Sequence, residues 1–366
     1  MEYEEPLFFR VMQYAASADR DVVDMVSGSP DWGPPEALRE GLAAYAERDP
    51  SAFQYSPSDG LLALRAEIAA RRNVPLGSVV VTSGAEEATY LAMAAALERG
   101  AGRETVLTDP VYPYYPGKTA MLGGEPVYVP VDPAGRLDPE AVREAATEET
   151  ALIVVNSPNN PTGAVYDAET IAELVAIAEE YDAILVSDEV YDRFDRSGRF
   201  ASALAIDSDH RVVVNSFSKS LGITGFRVGY GIFPPALADA ARTRHMLTVI
   251  AASRPAQAAV LAALEGTGPD YYADKRRLLG DRVNAFTAAL DAIGAEYASP
   301  DGGFYVLARL PTYPGTMANA ERLIDEVGVA GMPGETFGET RAEWFRFALV
   351  TPRVEEAADR LLERFG

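Results

Sequence analysis

Apolar residues follow two alternating patterns along the 366-residue chain. Short strand-like stretches recur at Val79 to Val81, Thr105 to Thr108, Pro126 to Val131, Leu152 to Val155, Ile184 to Val186 and Val212 to Val214, those at Val79, Leu152, Ile184 and Val212 being unbroken apolar runs. A strand with one wet face alternates, whereas unbroken runs mark strands covered on both faces. Between them apolar residues return every three or four positions. In Leu61 to Arg72, Leu61, Leu64 and Ile68 share one helical face. The Ala-rich stretch to Leu97, the stretch from Asp138 and that from Ala168 to Tyr181 also read as helices. Strand–helix alternation with short connections predicts an α/β fold: a large domain with a mostly parallel sheet covered by helices on both faces.

The flanks read differently. Phe8, Val11, Met12 and Ala15 recur at helical spacing. Met25 to Pro35 is too rich in Gly and Pro for a helix or strand. Glu36 to about Glu47 reads as a helix and Phe53 to Gly60 as a loop. After a strand remnant at Gly231 to Phe233 come helices at Pro235 to Leu247, Pro255 to Leu264 and Tyr271 to Ile293, the last predicted to cross between domains. Gly303 to Leu310, Thr316 to Val327, Trp344 to Val350 and a helix from Val354 alternate strand-like and helical patterns. They predict a smaller α+β domain built from both termini. The boundaries drawn are 46–280 for the large domain and 1–45 with 281–366 for the small one.

Polar clusters follow the apolar runs. Ser83-Gly84-Ala85 follows the first, Tyr112 the second, Asn160 the fourth, Asp188 to Tyr191 the fifth, and Ser216, Ser218 and Lys219 the last. In such sheets ligands sit beyond the carboxyl ends of the strands. The Ser-Gly turn before a helix offers free N–H groups to an anion or simply caps the helix. Tyr112 offers a flat face or packs a loop.

Composition sharpens this picture. The chain has three lysines, Lys118, Lys219 and Lys275, against an abundance of arginine. Where only a cation is wanted the sequence uses Arg. A guanidinium keeps its proton, whereas an ε-amine can lose it and condense with an aldehyde, so Lys219 is the candidate for covalent chemistry. There is no cysteine, and the two histidines, His210 and His245, lie far apart; both are read as structural and no metal centre is expected. Lys118 and Lys275 are read as solvated, and the pairs Glu86-Glu87 and Glu355-Glu356 as helix-start charges. The acidic start, residues 1–5, does not read as a signal peptide, and no stretch is long enough to span a bilayer. A cytoplasmic protein is expected. A net charge of −23 disfavours nucleic acid and anionic membranes as partners. It also predicts a surface adapted to a salt-rich cytoplasm.

The three strongest clusters resemble those of the pyridoxal-5′-phosphate-dependent aminotransferases of class I/II, with the aspartate aminotransferase fold (fold type I). Ser216-Phe217-Ser218-Lys219 with Gly222, Gly225 and Arg227 resembles the family's lysine motif. Asn160-Pro161-Thr162-Gly163 and Ser187-Asp188-Glu189-Val190-Tyr191 resemble two others. The resemblance implies that Lys219 carries pyridoxal 5′-phosphate as a Schiff base and moves a proton. It further implies that Asp188 pairs with the pyridine nitrogen, that Asn160 and Tyr191 bond the ring's phenolic oxygen, and that Tyr112 stacks on the ring. Ser83, Gly84, Ala85, Ser216, Ser218 and Arg227 would surround the phosphate, with Gly222 and Gly225 turning Arg227 back. Tyr55 would reach the phosphate of a neighbouring subunit, implying a homodimer with shared sites. Arg346 would grip the substrate α-carboxylate, with Gly28, Trp32, Asn160 and Phe304 lining the pocket.

The implied reaction is transamination between an L-amino acid and a 2-oxo acid, with glutamate and 2-oxoglutarate as one pair and an aspartate-like, alanine or aromatic partner left open for the other. A dicarboxylate partner needs a second cation, for which Arg254 of the neighbouring subunit is the candidate. The same cofactor also serves C–S lyases, synthases and decarboxylases, and a non-catalytic binding module on this fold is a third reading. The acidic surface carries its own expectation: in dilute buffer the protein loses activity and its melting temperature falls. A melting temperature unchanged between dilute buffer and molar salt would exclude the adaptation.

Overall fold

A computed structural model of the protein describes residues 7–100, 102–298 and 300–366. The acidic start, residues 1–5, lies outside the described residues. The apolar runs form one seven-stranded sheet in the order Val79–Thr82, Gly229–Ile232, Arg211–Ser216, Ile184–Asp188, Thr150–Asn156, Glu104–Asp109, Glu125–Pro130. Successive residues of each buried strand serve opposite faces. Val79, Val81, Ile153, Leu185 and Val213 face the helices Leu62–Arg72, Ala168–Glu180 and Arg254–Gly266. Val80, Val154, Val186 and Val214 face Ala85–Leu97 and Pro235–Val249.

Two strands depart from the expected pattern. Glu125–Pro130 is a half-exposed edge rather than a buried strand. Its two prolines suit an edge, where a missing N–H breaks no ladder. The remnant expected at Gly231 to Phe233 is the strand Gly229–Ile232, antiparallel to both its neighbours. Glycines at 229 and 231 hid it from the apolar pattern. Gly229 is needed there, because a Cβ would lie 2.5 Å from the carbonyl carbon of Gly84. Running against its neighbours, this strand begins at the rim where the others end, so Arg227 joins that rim.

A second, four-stranded antiparallel sheet orders Met332–Pro333, Phe345–Ala348, Tyr305–Arg309 and Glu296–Tyr297. Its core draws on both ends of the chain: Val11, Val23 and Met25 pack with Phe286, Val306, Phe347 and Leu361. The long helix Pro269–Ala292 joins the two cores, with Tyr272 in the large one and Phe286 and Leu290 in the small one. The helix Glu36–Ala46 lies on the other side of the boundary drawn at residue 45. Leu38 is part of the large core, and Gly41 packs so closely on Ala262 that a Cβ would collide with it. The helix expected over Thr316 to Val327 is an α-helical piece, Met317–Arg322, followed by a π-turn, Leu323–Val327, and ends at Gly328 with φ 74°.

Candidate active site

The rim of the large sheet faces the small sheet across a cavity of about 290 Å³, lined from both sides. Asn156, Asp188 and Ser216 are the last residues of their strands, and Ser218 and Lys219 follow on the short helix Phe217–Ser220. From the opposite side come Gly28, Tyr305 and Arg346.

Lys219 is half-enclosed, and its Nζ donates to the carbonyl of Gly28 at 2.7 Å. Burial lowers its pKa below the ordinary lysine range; Tyr305 pulls the other way, while the Arg346 and Arg227 charges add to the lowering. A buried amine whose proton is weakly held is ready to act as a nucleophile.

Asp188 meets the opposite situation. Its Oδ2 accepts from Tyr115 Oη at 2.6 Å and its Oδ1 from the Val190 N–H at 3.1 Å. No ion pair reaches it among the described residues. Burial pushes its carboxyl up to about 6, against the downward pull of the Tyr115 and Val190 hydrogen bonds. Such a carboxylate favours a cation placed against it. Asn156 braces the neighbourhood, donating to the Asp188 carbonyl at 2.9 Å and accepting from the Asn160 N–H at 2.7 Å.

Arg346 is buried in the strand Phe345–Ala348 and lies 4.4 Å from the Tyr305 ring centre. It donates to Asn160 Oδ1 at 3.2 Å and to the Val26 carbonyl at 2.6 Å, while its Nε has no partner among the described residues. The Tyr191 and Tyr305 hydroxyls lie 3.2 Å apart. Burial, with Tyr305 alongside, raises the Tyr191 pKa well above the ordinary tyrosine range.

Arg227 closes the far end of the cavity. Its guanidinium donates to the Thr224 carbonyl at 2.9 Å and the Ser83 carbonyl at 3.3 Å. It covers Gly84, where a Cβ would lie 2.5 Å from Nη2. Gly222, at φ 67°, turns the chain under Trp32, but Gly225 lies in open space. The second turn expected of Gly225 is made by Arg227 itself, at φ 55°. Ser216, Ser218 and Ala85 line the cavity here, whereas Ser83 and Gly84 stand just behind it. The Ser83 N–H is not free for a ligand, because it donates to Glu87 Oε2 at 2.6 Å.

Other expected residues lie elsewhere. Trp32 is buried in an aromatic cluster behind the wall, its ring 5.8 Å from that of Phe194. Phe304 belongs to the same cluster, as does its neighbour Tyr305, which also lines the cavity. Tyr55 is 80% exposed and lies outside the cavity lining. Arg254 donates to the Ser51 and Gln54 carbonyls of the same loop. Neither Lys118 nor Lys275 is simply solvated. Lys118 is ion-paired with Glu86, and Lys275 lies 5.2 Å from the Tyr271 ring centre. Glu86 does more than face a helix dipole. It accepts from Tyr112 Oη at 2.7 Å and lines the cavity; burial opposes its charge, yet Lys118 and Tyr112 hold it below the ordinary range.

Sequence reasoning missed Tyr115, Asn156 and Tyr305. The spacing of Tyr112, Tyr115 and Lys118, one helical turn apart, carried a signal for the first. Asn156 and Tyr305 stand beside quoted motifs and carry none of their own.

These residues fit pyridoxal 5′-phosphate. The cavity offers Arg227 with two serine hydroxyls for a phosphate, and a buried carboxylate with no ion-pair partner among the described residues for a ring N–H. The Lys219 amine opens on the space between, and Arg346 keeps an unused donor for a carboxylate. The comparisons agree with that fit. A family model described as aminotransferase class I and II matches residues 20–365. The probable aspartate aminotransferase of Methanocaldococcus jannaschii is 32% identical, over 95% of this chain and 94% of that protein. The aspartate/prephenate aminotransferase of Thermus thermophilus is 33% identical, over 94% of this chain and 90% of that protein. The solved structure of Thermus thermophilus aspartate aminotransferase with maleate superposes with a TM-score of 0.90 at 31% identity, covering 99% of this chain and 96% of that one.

The isolated Asp188 makes a measurable prediction for the cofactor-free protein. Its carboxyl titrates near 6 in the folded chain, against an ordinary value of 3.8. Between these values the native chain still holds a proton that the unfolded chain has released, so stability falls as pH rises through this window. Asp188→Asn removes the penalty. Urea unfolding without cofactor is expected to show the variant more stable at pH 8 by up to ~3 kcal/mol, the difference vanishing below about pH 3. Equal midpoints at pH 8 would show that burial does not penalise this charge.

Proposed function

The chain belongs to the class I and II aminotransferases, and from that membership we propose how its residues divide the work. It transfers an amino group between an amino acid and a 2-oxo acid with pyridoxal 5′-phosphate. The cofactor supplies an aldehyde to receive the amino group and a ring that takes up the electron pair of a broken Cα bond. Arg227, Ser216, Ser218 and the Ser83–Ala85 turn would hold its phosphate, and Asp188 would favour a proton on its pyridine nitrogen. Asn160 and Tyr191 would donate to its phenolic oxygen, and Tyr112 would line the site beside its ring. Lys219 would hold the group through Nζ and would serve as the base that takes and returns the substrate's Cα proton. Arg346 takes the α-carboxylate in its fork and so fixes which Cα bond stands in line for cleavage. The observation that carries this reading is the Lys219 amine, its charge disfavoured by burial, opening on the same cavity as the uncompensated Asp188 carboxylate.

The substrate pair extends this reading. Glutamate and 2-oxoglutarate are proposed as one pair. The names of the relatives, aspartate and aspartate/prephenate aminotransferases, support a dicarboxylic or prephenate-like partner, with Arg254 of a second subunit as its cation. A homodimer is supported by exposed apolar side chains on two linked segments. Phe53 and Tyr55 stand on the loop that Arg254 holds, and Leu247 and Ile250 end the preceding helix. Tyr55 would then serve the partner's phosphate. The division into two domains follows the two cores, with the crossings before Glu36 and along Pro269–Ala292. No helix among the described residues is long and apolar enough to cross a membrane, and the cytoplasm is the proposed compartment.

The test is a spectroscopic single turnover. The cofactor-loaded protein is given a panel of amino acids, and conversion to the pyridoxamine form with release of the matching oxo acid is expected. Pyruvate and ammonia without the pyridoxamine form would mean a lyase instead. Lys219→Ala should abolish turnover, and wild-type turnover in that variant would overturn its role. Sedimentation is expected to give a dimer, which Leu247→Asp with Ile250→Asp dissociates. A fully active monomer would remove the role given to Tyr55.

A further inference from the structure

Glu86 and Glu87 are neighbours in the first turn of the helix Ala85–Leu97, yet they reach in different directions. Glu86 turns to the cavity, towards Tyr112 and Lys118. Glu87 turns back beneath the Ser83 turn. One of its oxygens accepts the Ser83 N–H at 2.6 Å, and the other accepts from His245 Nδ1 at 2.7 Å. His245 is fully buried on the helix Pro235–Val249, and its Nε2 has no partner among the described residues. A buried imidazole and a largely buried carboxylate cost stability unless each satisfies the other. Neither of them lines the cavity.

What the pair holds is the turn. The Ser83 carbonyl accepts from Arg227, its N–H donates to Glu87, and the Gly84 carbonyl accepts from Thr82 Oγ1 at 2.9 Å. With these groups tied down, the helix-opening N–H groups of Ala85 and Glu86, which have no acceptor within the helix, keep a fixed direction. Gly84, at φ 91°, is the flexible point of the turn and would otherwise let it swing. A fixed set of donors binds an anion more tightly than one that must first be ordered.

We propose that Glu87 and His245 are positioning residues for the cofactor's phosphate: they anchor the Ser83–Ala85 turn to the helix Pro235–Val249 so that its free N–H groups meet the phosphate already oriented. The proposal rests on the reading that places the phosphate at Arg227 and this turn. It assigns no proton transfer to either residue and no contact with the substrate.

The test titrates cofactor-free protein with two probes, pyridoxal 5′-phosphate and pyridoxal, which lacks the phosphate, following bound-cofactor absorbance. Glu87→Ala should weaken binding of the phosphorylated probe by ~10-fold or more and leave pyridoxal binding within ~2-fold. Glu87→Gln, whose amide oxygen can still accept the Ser83 N–H, should keep both affinities within ~3-fold of wild type. A buried His245 left unpaired can unfold the chain, so the pair Glu87→Leu with His245→Leu is the second variant. It fills the site with apolar groups yet still frees the Ser83 N–H, and should show the same phosphate-selective loss. Equal losses for both probes would mean a general structural role and overturn the proposal. Arg227→Met separates the remaining outcomes. Selective loss there with normal binding in the Glu87 variants overturns the brace alone, and selective loss in none of them overturns the phosphate placement and the brace with it.

Discussion

Burial of one carboxylate, Asp188, with no ion-pair partner among the described residues sets the terms for the rest of this site. Its neighbour Glu189 is also buried, and there the chain supplies a counter-charge, although burial still raises the carboxyl's pKa. Arg72 pairs with it, Ser202 donates to it at 2.8 Å and the Ala203 N–H at 3.0 Å. The two acids follow one another at the end of one strand and so point to opposite sides. Glu189 reaches the side where an arginine waits, and Asp188 reaches the cavity. There it gets two hydrogen bonds, from Tyr115 and Val190, and no ion-pair partner among the described residues. A fold that supplies an arginine for one acid and withholds it from the next has left a place for a cation that the ligand must bring.

The cations obey the complementary rule. Lys219, Arg227 and Arg346 line one cavity and repel one another across it, which helps to lower the Lys219 pKa. Lys118 lies near but is spent on Glu86. The cavity thus holds more unpaired positive than negative charge, divided between its ends. An anion at the Arg227 end and a second at Arg346 each relieve that repulsion, while a ring cation against Asp188 relieves the opposite strain. Aspartate aminotransferase relatives match this chain along nearly its whole length, and a doubly anionic cofactor–substrate pair has the charge pattern the cavity lacks.

Much of this was legible in the sequence because it follows from periodicity. Unbroken apolar runs identified the buried strands, and the topology of such sheets put their polar ends on one rim. Lys219 stood out because the chain avoids lysine elsewhere. The failures share one physical cause: a side chain's direction depends on packing that no spacing reveals. Trp32 and Phe304 carry the right chemistry but point into the aromatic cluster, and Tyr305 faces the cavity in their place. Ser83 looked like a free donor until Glu87 was found folded back beneath it. The strand Gly229–Ile232 was obscured because close backbone approach demands glycine, which leaves no apolar trace.

The segment Val26–Gly28 links two of the cavity's cations. Its Val26 carbonyl accepts from Arg346 and its Gly28 carbonyl accepts from Lys219. Two residues apart, the two carbonyls accept from Arg346 and from Lys219 at once. Gly28 must stay a glycine for this, since a Cβ there would run into the Tyr305 hydroxyl. The segment is continuous with Val23 and Met25 of the small core, so the position of the small sheet is coupled to both groups. Any ligand that engages Lys219 and Arg346 competes with these two carbonyls for the same donors. The N-terminal segment is therefore the part of the small core whose contacts must change most directly when substrate enters.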